Sequence, residues 1–319
     1  MDDRPPLNSL LTSKKTIISF IISFLILYLL IRNIDMAEMI AISKNVSIPL
    51  YIGAFLIHYS SFIVRGMRWK KLLDALEIKT DLITSTEIVF LSWFANSIVP
   101  AKIGDVYRSY LLKKKNSEPI SRSIGTIVVE RMLDVALLLF LLTLSGYLLY
   151  EEQIPKEIDQ TLKLGYALII LLIFGVMFLK VFEKKLMHPI PESFRIHIAN
   201  LSHGIFNSFS DIETIIYVLF MSLAIWVLES GRMFLVTESL GIDIGIYTIV
   251  FVALASTLLT AIPLTPAGLG AVEFSIVFLL ALNGVDTNTG TAVAFLDRLI
   301  SYWSLLIVGT IVYIISKKT

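Results

Sequence analysis

The chain has 319 residues, of which 56% are hydrophobic and 17% are charged, with a formal net charge of +1 and no cysteine. A soluble domain carries about a quarter charged residues, so this composition excludes an ordinary soluble protein. Because there is no cysteine and the four histidines show no metal-ligand spacing, we predict no disulfide, no metal and no cofactor. The basic residues are distributed among segments that flank apolar runs, which argues against nucleic-acid binding.

Long apolar runs predict membrane-spanning helices, because a hydrocarbon core of about 30 Å is crossed by roughly 20 helical residues. The first run is longer than the apolar region of a signal peptide and is followed by no obvious cleavage site, so we interpret it as a retained span. We predict an all-α fold, a polytopic helical membrane protein in which residues 1–319 form a single membrane domain. In chain order the predicted spans are Thr16–Ile31, Val46–Val64, Ile124–Tyr150, Leu164–Val181, Ile212–Val236 and Thr291–Ile315.

Two further apolar regions, Leu82–Leu112 and Ile244–Asn283, are interrupted by the same pattern, Pro-Ala-x-x-Gly. It reads PAKIGDV from Pro100 and PAGLGAV from Pro266. A helix that begins after such a break presents unpaired backbone N–H groups and the positive end of its dipole, which suits a phosphate. The alternative is that proline and glycine only kink tightly packed helices. The glycines that we expect to allow close backbone approach are Gly104, Gly268 and Gly270.

Each break is followed by an acid–arginine pair in a later apolar stretch, Glu130–Arg131 after the first and Asp297–Arg298 after the second. This recurrence predicts two pseudo-repeats, approximately 46–182 and 212–315. The positive-inside rule places both termini and the Lys113–Lys115 cluster in the cytoplasm, so the first broken region enters and leaves by the inner face and the second by the outer face. We therefore predict inverted repeats with two re-entrant helical hairpins in a multi-pass protein of the cell membrane, a construction typical of secondary transporters.

Arginines inside spans cost about 2.5–3.5 kcal/mol each on insertion scales, so Arg131 and Arg298 must be paired or reach water. Two interpretations stay open. In the first, each arginine pairs with the acid of the other repeat and holds the halves together. In the second, the arginines bind a lipid phosphate. Helical spacing places Glu130 beside Asp134, Arg298 beside Tyr302 and Glu229 beside Arg232. The acids that are candidates to hold a cationic headgroup or to exchange a proton are Glu130, Asp134, Glu273 and Asp297.

Aromatic residues accompany the charges at two places. The segment IVRGMRWKKLL ends the second predicted span, and we predict interfacial headgroup contact for Arg65, Arg68 and Trp69. Tyr302 and Trp303 lie deeper than an interfacial belt, so we predict that they pack against a hairpin or stack on a substrate.

With these residues identified, the chain resembles the flippase-like family that contains the lysylphosphatidylglycerol synthase transmembrane region and UPF0104-type membrane proteins. The resemblance covers nearly the whole chain and is carried, in order, by RGMRWKKLL, NSIVPAKIGDVYRSYLL, ERMLD, PLTPAGLGAVE and DRLISYW. It implies a multi-span fold with re-entrant helices that moves a lipid across the bilayer. The residues that it places at the site are Arg65, Arg68, Trp69, Asn96, Pro100, Gly104, Asp105, Arg108, Glu130, Arg131, Asp134, Pro263, Pro266, Gly268, Gly270, Glu273, Asp297, Arg298, Tyr302 and Trp303.

The chain departs from this family in two respects. Ala101 and Ala267 occupy positions where the family often has glycine, so we expect less open turns there. The soluble aminoacyltransferase domain of the full synthases has no counterpart in the sequence. We therefore predict no aminoacyl transfer, no catalytic residue and no enzymatic activity for this chain.

The predicted function is that of a lipid flippase or transporter. It moves a phosphate-bearing lipid, a class that includes aminoacylated and glycosylated lipids, between the leaflets by alternating access. The alternatives are an intramembrane lipid-linked transferase and a non-catalytic membrane subunit of a lipid-modifying system. The predicted partners are membrane lipids and a separate soluble lipid-modifying enzyme.

Overall fold

The computed structural model of the protein describes residues 14–32, 34–100, 102–150, 154–187, 191–209, 211–260 and 265–318. Across these ranges the regular structure is entirely helical, which confirms the predicted all-α fold class. Ala101 and Pro263, which the sequence singles out, lie outside the described residues.

The helices follow one another with short connections. In chain order they are α1 Lys14–Ile31, α2 Met36–Lys44, α3 Ile48–Asp74, α4 Leu82–Ile98, α5 Ile103–Asn116, α6 Ile120–Tyr150, α7 Lys156–Met187, α8 Glu192–Ser208, α9 Ile212–Ser239, α10 Ile246–Thr260, a 3₁₀ turn Pro266–Gly268, α11 Ala271–Leu282, α12 Thr287–Arg298, a π-helical segment Leu299–Ser304 and α13 Leu305–Lys318.

In the described part of the chain, five helices are long and apolar enough to cross a membrane. They are α3, α6, α7, α9 and the continuous run Thr287–Ser316, which joins α12, the π segment and most of α13. The bent pair of α1 and α2 would add a sixth. The predicted spans coincide with these helices. In each case the apolar run is long enough to cross the hydrocarbon core, where a helix pairs the backbone N–H and C=O groups of the segment with one another.

Two further helices, α2 and α8, were not predicted, because α2 has only 9 residues and α8 carries polar residues along its whole length in place of a continuous apolar run. Asp35 begins α2 as an N-cap and accepts hydrogen bonds from the backbone N–H groups of Ala37 and Glu38 at 2.9 and 3.1 Å. Helix α8 packs along α6. A Cβ on Gly125 would lie 2.6–2.7 Å from backbone atoms of Gly204 and Ile205, so glycine permits this close packing.

Both predicted helix breaks are present. The first lies between α4 and α5, where Lys102 has a φ of 56°. The second lies between α10 and α11, where Ala267, Gly268 and Gly270 have φ values of 44°, 72° and 88°. Left-handed backbone costs an alanine roughly 1–2 kcal/mol, so Ala267 carries local strain at this turn. That the broken regions re-enter the membrane face from which they came stays a prediction.

The described residues fall into two compact units. Unit 1 takes its residues from Met1–Ser61, Phe90–Gly104 and Val227–Thr319, and unit 2 from Phe62–Val89 and Asp105–Trp226. Each predicted pseudo-repeat contributes to both units, so the repeats do not coincide with the units and stay a prediction. The buried ion pairs described below each lie within one unit.

Candidate functional site: two networks of buried ion pairs

The first network, in unit 2, centres on Arg68 near the end of α3. Its guanidinium donates to both oxygens of Asp134, at 2.5 and 3.1 Å, and its Nη2 lies 2.8 Å from Glu130 Oε1. Ser222 of α9 donates to Asp134 Oδ1 at 2.9 Å. Glu130 and Asp134 meet the same guanidinium because they are four residues apart on α6, which confirms the predicted shared face.

Arg108 of α5 supplies a second guanidinium to Glu130. Its Nη1 and Nη2 lie 3.1 and 2.9 Å from the two carboxylate oxygens. The same guanidinium lies 4.0 Å from the centre of the Trp69 ring, and the Trp69 indole N–H donates to the Thr126 hydroxyl at 3.2 Å. Glu130 is therefore held on both oxygens by buried arginines.

The predicted interfacial position of Arg65, Arg68 and Trp69 is wrong. Their exposed fractions are 3%, 0% and 0%, whereas an interfacial anchor must reach the lipid headgroups. The physical reason is the pair of buried carboxylates on α6, since buried charges need partners of opposite sign. Arg68 meets that need, and Trp69 packs beneath the second arginine.

Arg131 does not pair with the adjacent Glu130 but with an acid of another helix. Its Nε and Nη2 lie 3.2 and 2.9 Å from the two oxygens of Asp105, in the first turn of α5. The side chains of Arg131 and Asp105 are 29% and 17% exposed. Within the described part of the chain, Arg131 Nη1 makes no hydrogen bond, so one edge of this guanidinium stays available.

The second break, in unit 1, holds an arginine in a similar way. Arg298 Nε lies 2.8 Å from Glu273 Oε1, and the other oxygen, Oε2, accepts the backbone N–H of Gly270 at 2.7 Å. Arg298 Nη2 donates to the Ala267 carbonyl at 3.2 Å, while Nη1 makes no hydrogen bond to any described residue. The guanidinium lies 4.9 Å from the centre of the Tyr302 ring, which confirms their predicted proximity.

Arg232 of α9 forms the other part of the network in unit 1. It binds Asp297 through Nε at 2.8 Å and Nη2 at 3.3 Å. Nη1 contacts Glu229, which confirms the predicted pair one helical turn apart, and also donates to His58 Nδ1 at 3.3 Å. The sequence did not connect Arg232 with Asp297. Arg232 and Arg68 occupy the same position counted from the first residues of α9 and α3, but this correspondence depends on helix bounds that only the structure gives.

The two networks have the same connectivity. In each, an arginine of a long helix binds the acid of an acid–arginine pair, and the arginine of that pair binds an acid in the first turn of a broken helix. Of the two interpretations left open for Arg131 and Arg298, pairing with an acid of the other repeat does not hold, because each arginine pairs with an acid of the same predicted pseudo-repeat. The first network connects Arg68, Glu130, Arg131 and Asp105, and the second connects Arg232, Asp297, Arg298 and Glu273.

The remaining candidate residues mainly shape the breaks. Asn96 Oδ1 accepts the Gly104 N–H at 2.8 Å, so a side chain of α4 caps one of the free amides in the first turn of α5. The Tyr302 hydroxyl donates to the Ser97 carbonyl at 3.2 Å, near the end of α4, whereas Trp303 is 42% exposed. Pro100 lies in the first break, and Pro266 begins the 3₁₀ turn of the second.

The glycines at the breaks face protein. A Cβ on Gly104 would lie 2.7 Å from the Asn96 side chain, and one on Gly270 would lie 2.9 Å from the Ser23 carbonyl of α1. At Gly268 it would lie 2.7 Å from Val272. The predicted close approach at Gly104 and Gly270 is therefore to neighbouring helices, and the role of these glycines in binding a substrate stays a prediction. Among the described residues no group of three or more histidines or acids is arranged to hold a metal ion.

Comparison with known proteins supports the resemblance. The family model described as the lysylphosphatidylglycerol synthase TM region matches residues 16–309. The UPF0104 membrane protein MJ1078 of Methanocaldococcus jannaschii is 38% identical over 225 residues, covering 70% of this chain and 95% of the relative. MJ1595 of the same organism is 24% identical over 328 residues, covering 95% of this chain and 96% of the relative. Glycosyltransferase AglD of Haloferax volcanii is 24% identical over 329 residues, covering 90% of this chain but 52% of AglD.

These relatives correct one prediction. We predicted that the chain is not an enzyme, but the matching family carries the name of a synthase and one relative is named a glycosyltransferase. The long apolar helices and the named membrane relatives together identify a multi-pass membrane protein. Because the family model matches most of the sequence, the chain belongs to the family of the lysylphosphatidylglycerol synthase transmembrane region.

Proposed function

We propose that this chain binds the headgroup of a phosphate-bearing lipid at its helix breaks and moves it between the two leaflets, as the membrane part of a lipid-modifying system. The observation that carries the proposal is the geometry at Glu273. Arg298 Nε and the Gly270 N–H hold the two oxygens of this one carboxylate at 2.8 and 2.7 Å. A guanidinium and a helix-terminal amide thus converge on a single anionic group, which is the arrangement that phosphate recognition needs.

The arginines at both breaks have capacity for a further acceptor. Arg131 and Arg298 each bind an acid through Nε, and each leaves Nη1 without a hydrogen bond to any described residue. A phosphate offers several acceptor oxygens and matches the planar guanidinium fork. A charged residue within a span is costly unless it has a partner, and such residues usually mark functional sites. The two guanidinium groups are therefore good candidates to bind a lipid headgroup.

The predicted inverted repeat provides the transport cycle in this proposal. One break opens toward one leaflet and the other toward the opposite leaflet, so a headgroup gains access from alternating sides. The ion pairs that join each broken helix to the following long helix, Asp105 to Arg131 and Glu273 to Arg298, are the contacts that change as each break opens.

Translocation is tested with purified protein in vesicles that contain phosphatidylglycerol labelled with a fluorophore on one acyl chain. Dithionite destroys only the fluorophores of the outer leaflet, so translocation appears as loss beyond that fraction. We expect native protein to translocate the lipid and the Arg131→Ala and Arg298→Ala variants to lose most of this activity.

The matched control is Arg122→Ala. Arg122 lies on α6 with Arg131 but pairs with Glu118 at 3.1 Å and with the Leu76 carbonyl at 2.6 Å. Its removal should leave translocation near the native rate. Native rates in both break variants, with all proteins monodisperse and equally reconstituted, would refute the proposed role.

A second candidate is a lipid-linked transferase acting within the membrane, which is favoured by the names of the family and of AglD. In such a reaction a carboxylate takes the proton of a lipid hydroxyl while that oxygen attacks the donor and the leaving group departs. Asp105 suits this better than Glu130, because its side chain is 17% exposed and pairs with one arginine, whereas the Glu130 side chain is 4% exposed and pairs with two. Donor-dependent product from purified native protein, absent in Asp105→Asn, would favour this candidate.

A further inference from the structure

We infer that the carboxylates of Asp105 and Glu273 are internal competitors of the lipid phosphate, each holding the arginine of its break until a headgroup displaces it. The inference rests on the proposed function and concerns the regulation of the same site. A carboxylate presents two oxygens to a guanidinium, as a phosphate does, so the same arginine edge serves either group.

The contacts of Glu273 place a carboxylate where an incoming anion would bind. One oxygen meets Arg298 and the other meets the Gly270 N–H at the start of α11. Both residues of this ion pair are buried. A phosphate cannot take this position without moving the Glu273 side chain, so the acid controls entry to the second break.

Asp105 occupies the corresponding place in the first break. Its two oxygens accept from Nε and Nη2 of Arg131, so the edge best suited to a bidentate anion is already filled. Nη1 remains, and it offers a first contact from which a phosphate can exchange with the carboxylate.

Exchange is less costly than simple opening of the pair. Removing one partner of a buried ion pair leaves an uncompensated charge, whereas a phosphate arriving at Nη1 keeps the guanidinium neutralised throughout. At the first break the displaced carboxylate is 17% exposed, so water can solvate it. The ligand therefore opens the contact between α5 and α6 by replacing it.

The two breaks differ in how firmly the competitor is held. The Arg131–Asp105 pair is partly exposed, and such pairs contribute little. The Arg298–Glu273 pair is buried, with side chains 6% and 9% exposed, and Glu273 also caps α11. Asp105 is thus the residue whose neutralisation tests the inference while disturbing the fold least.

The test measures binding of short-chain phosphatidylglycerol to protein purified in a phosphate-free detergent, with diacylglycerol of the same chain length as the phosphate-free probe. Inorganic phosphate is titrated separately, to distinguish recognition of phosphate alone from recognition of the lipid. We expect Asp105→Asn to bind phosphatidylglycerol roughly two- to tenfold more tightly than native protein, the range that corresponds to losing a weak competing ion pair. Diacylglycerol binding should not change.

Two further variants separate the possible outcomes. Asp159→Asn removes one negative charge from an exposed ion pair with Lys163 and should leave affinity unchanged, which excludes a general electrostatic gain. Arg131→Ala should lose phosphatidylglycerol binding.

If Arg131→Ala loses binding while Asp105→Asn binds no more tightly than native protein, the competitor inference is overturned and the proposed site stands. If Arg131→Ala binds like native protein, the proposed headgroup site at the first break fails, and the inference for Asp105 fails with it.

Discussion

Arg298 Nε and Glu273 Oε1 are joined by a 2.8 Å ion pair that connects the end of α12 to the first turn of α11. Each group has a second partner. Glu273 accepts the Gly270 N–H, and Arg298 donates to the Ala267 carbonyl. Through these contacts the ion pair holds both sides of the strained turn at the second break. It also connects Arg298 of the acid–arginine sequence pair directly to the helix interruption.

This pair should show strong energetic coupling. Removing one partner of a buried ion pair costs about 3–5 kcal/mol, so we expect Arg298→Ala and Glu273→Ala each to destabilise the protein by an amount of that order. The double variant should be less destabilised than the sum of the two, with a coupling of at least about 1 kcal/mol. Denaturant unfolding in detergent measures all four proteins. Additive effects would contradict the pairing.

Arg232 should matter more for stability than Arg68, although the two occupy corresponding positions. When Arg68 is removed, Glu130 keeps Arg108 and Asp134 keeps the Ser222 hydroxyl. When Arg232 is removed, Asp297 keeps only the Ser301 hydroxyl, at 3.4 Å, among its described contacts.

We therefore expect Arg232→Ala to cost about 3–5 kcal/mol of unfolding free energy and Arg68→Ala to cost less. Arg122→Ala, which breaks a partly exposed pair with Glu118, should cost about 1 kcal/mol or less. The same unfolding measurement ranks the three variants. A larger effect for Arg68 than for Arg232 would show that the alternative partners do not compensate as described.

Most of the long helices could be predicted from the sequence, because a continuous apolar run leaves the backbone no other solution in hydrocarbon. The breaks were predictable as well, since Pro100 and Pro266 interrupt such runs locally. Burial of Trp69 and Arg68 was not predictable in this way. The mixture of tryptophan and cations in that segment is also the pattern of an interfacial anchor, and only the position of Asp134 and Glu130 on α6 decides between the two.

Partners that are distant in sequence account for the other differences at the site. Arg131 and Arg298 had several acids available, and helical periodicity excluded only the adjacent one. Their pairing with Asp105 and Glu273 depends on how each broken helix packs against the following long helix. Helix α8 was missed for a related reason, because its contact with α6 depends on two glycines, Gly125 and Gly204, whose roles appear only when the helices meet.

The packing of α6 against α8 provides a third prediction. A Cβ on Gly125 would lie 2.6–2.7 Å from the backbone of Gly204 and Ile205, and backbone atoms cannot move aside as a flexible side chain does. We expect Gly125→Ala to lower the thermal midpoint of unfolding by several degrees, since a destabilisation of about 1 kcal/mol shifts it by a few degrees.

Gly175 of α7 is the matched control for this substitution. It lies within a helix, and a Cβ there would meet nothing within 4 Å. Gly175→Ala should leave the midpoint unchanged or raise it slightly, because alanine is favoured over glycine inside a helix by about 1 kcal/mol. Equal effects of the two substitutions would show that the contact of α6 with α8 is looser than described.

The Tyr302 hydroxyl links the π-helical segment to the end of α4, where it donates to the Ser97 carbonyl at 3.2 Å. Tyr302 also lies beside Arg298, with its ring 4.9 Å from the guanidinium. π-Helical turns interrupt the regular register of a helix and are frequent at functional sites.

Tyr302→Phe keeps the ring and its contact with Arg298 but removes the hydrogen bond, so it tests this link separately from the arginine. We expect a loss of about 1 kcal/mol in unfolding free energy and slower lipid translocation, with binding of short-chain phosphatidylglycerol unchanged. Exposed Tyr247→Phe is the control and should alter none of the three. Slower translocation with unchanged binding would identify the hydroxyl as a positioning group for movement of the first break, whereas a native translocation rate would contradict that role.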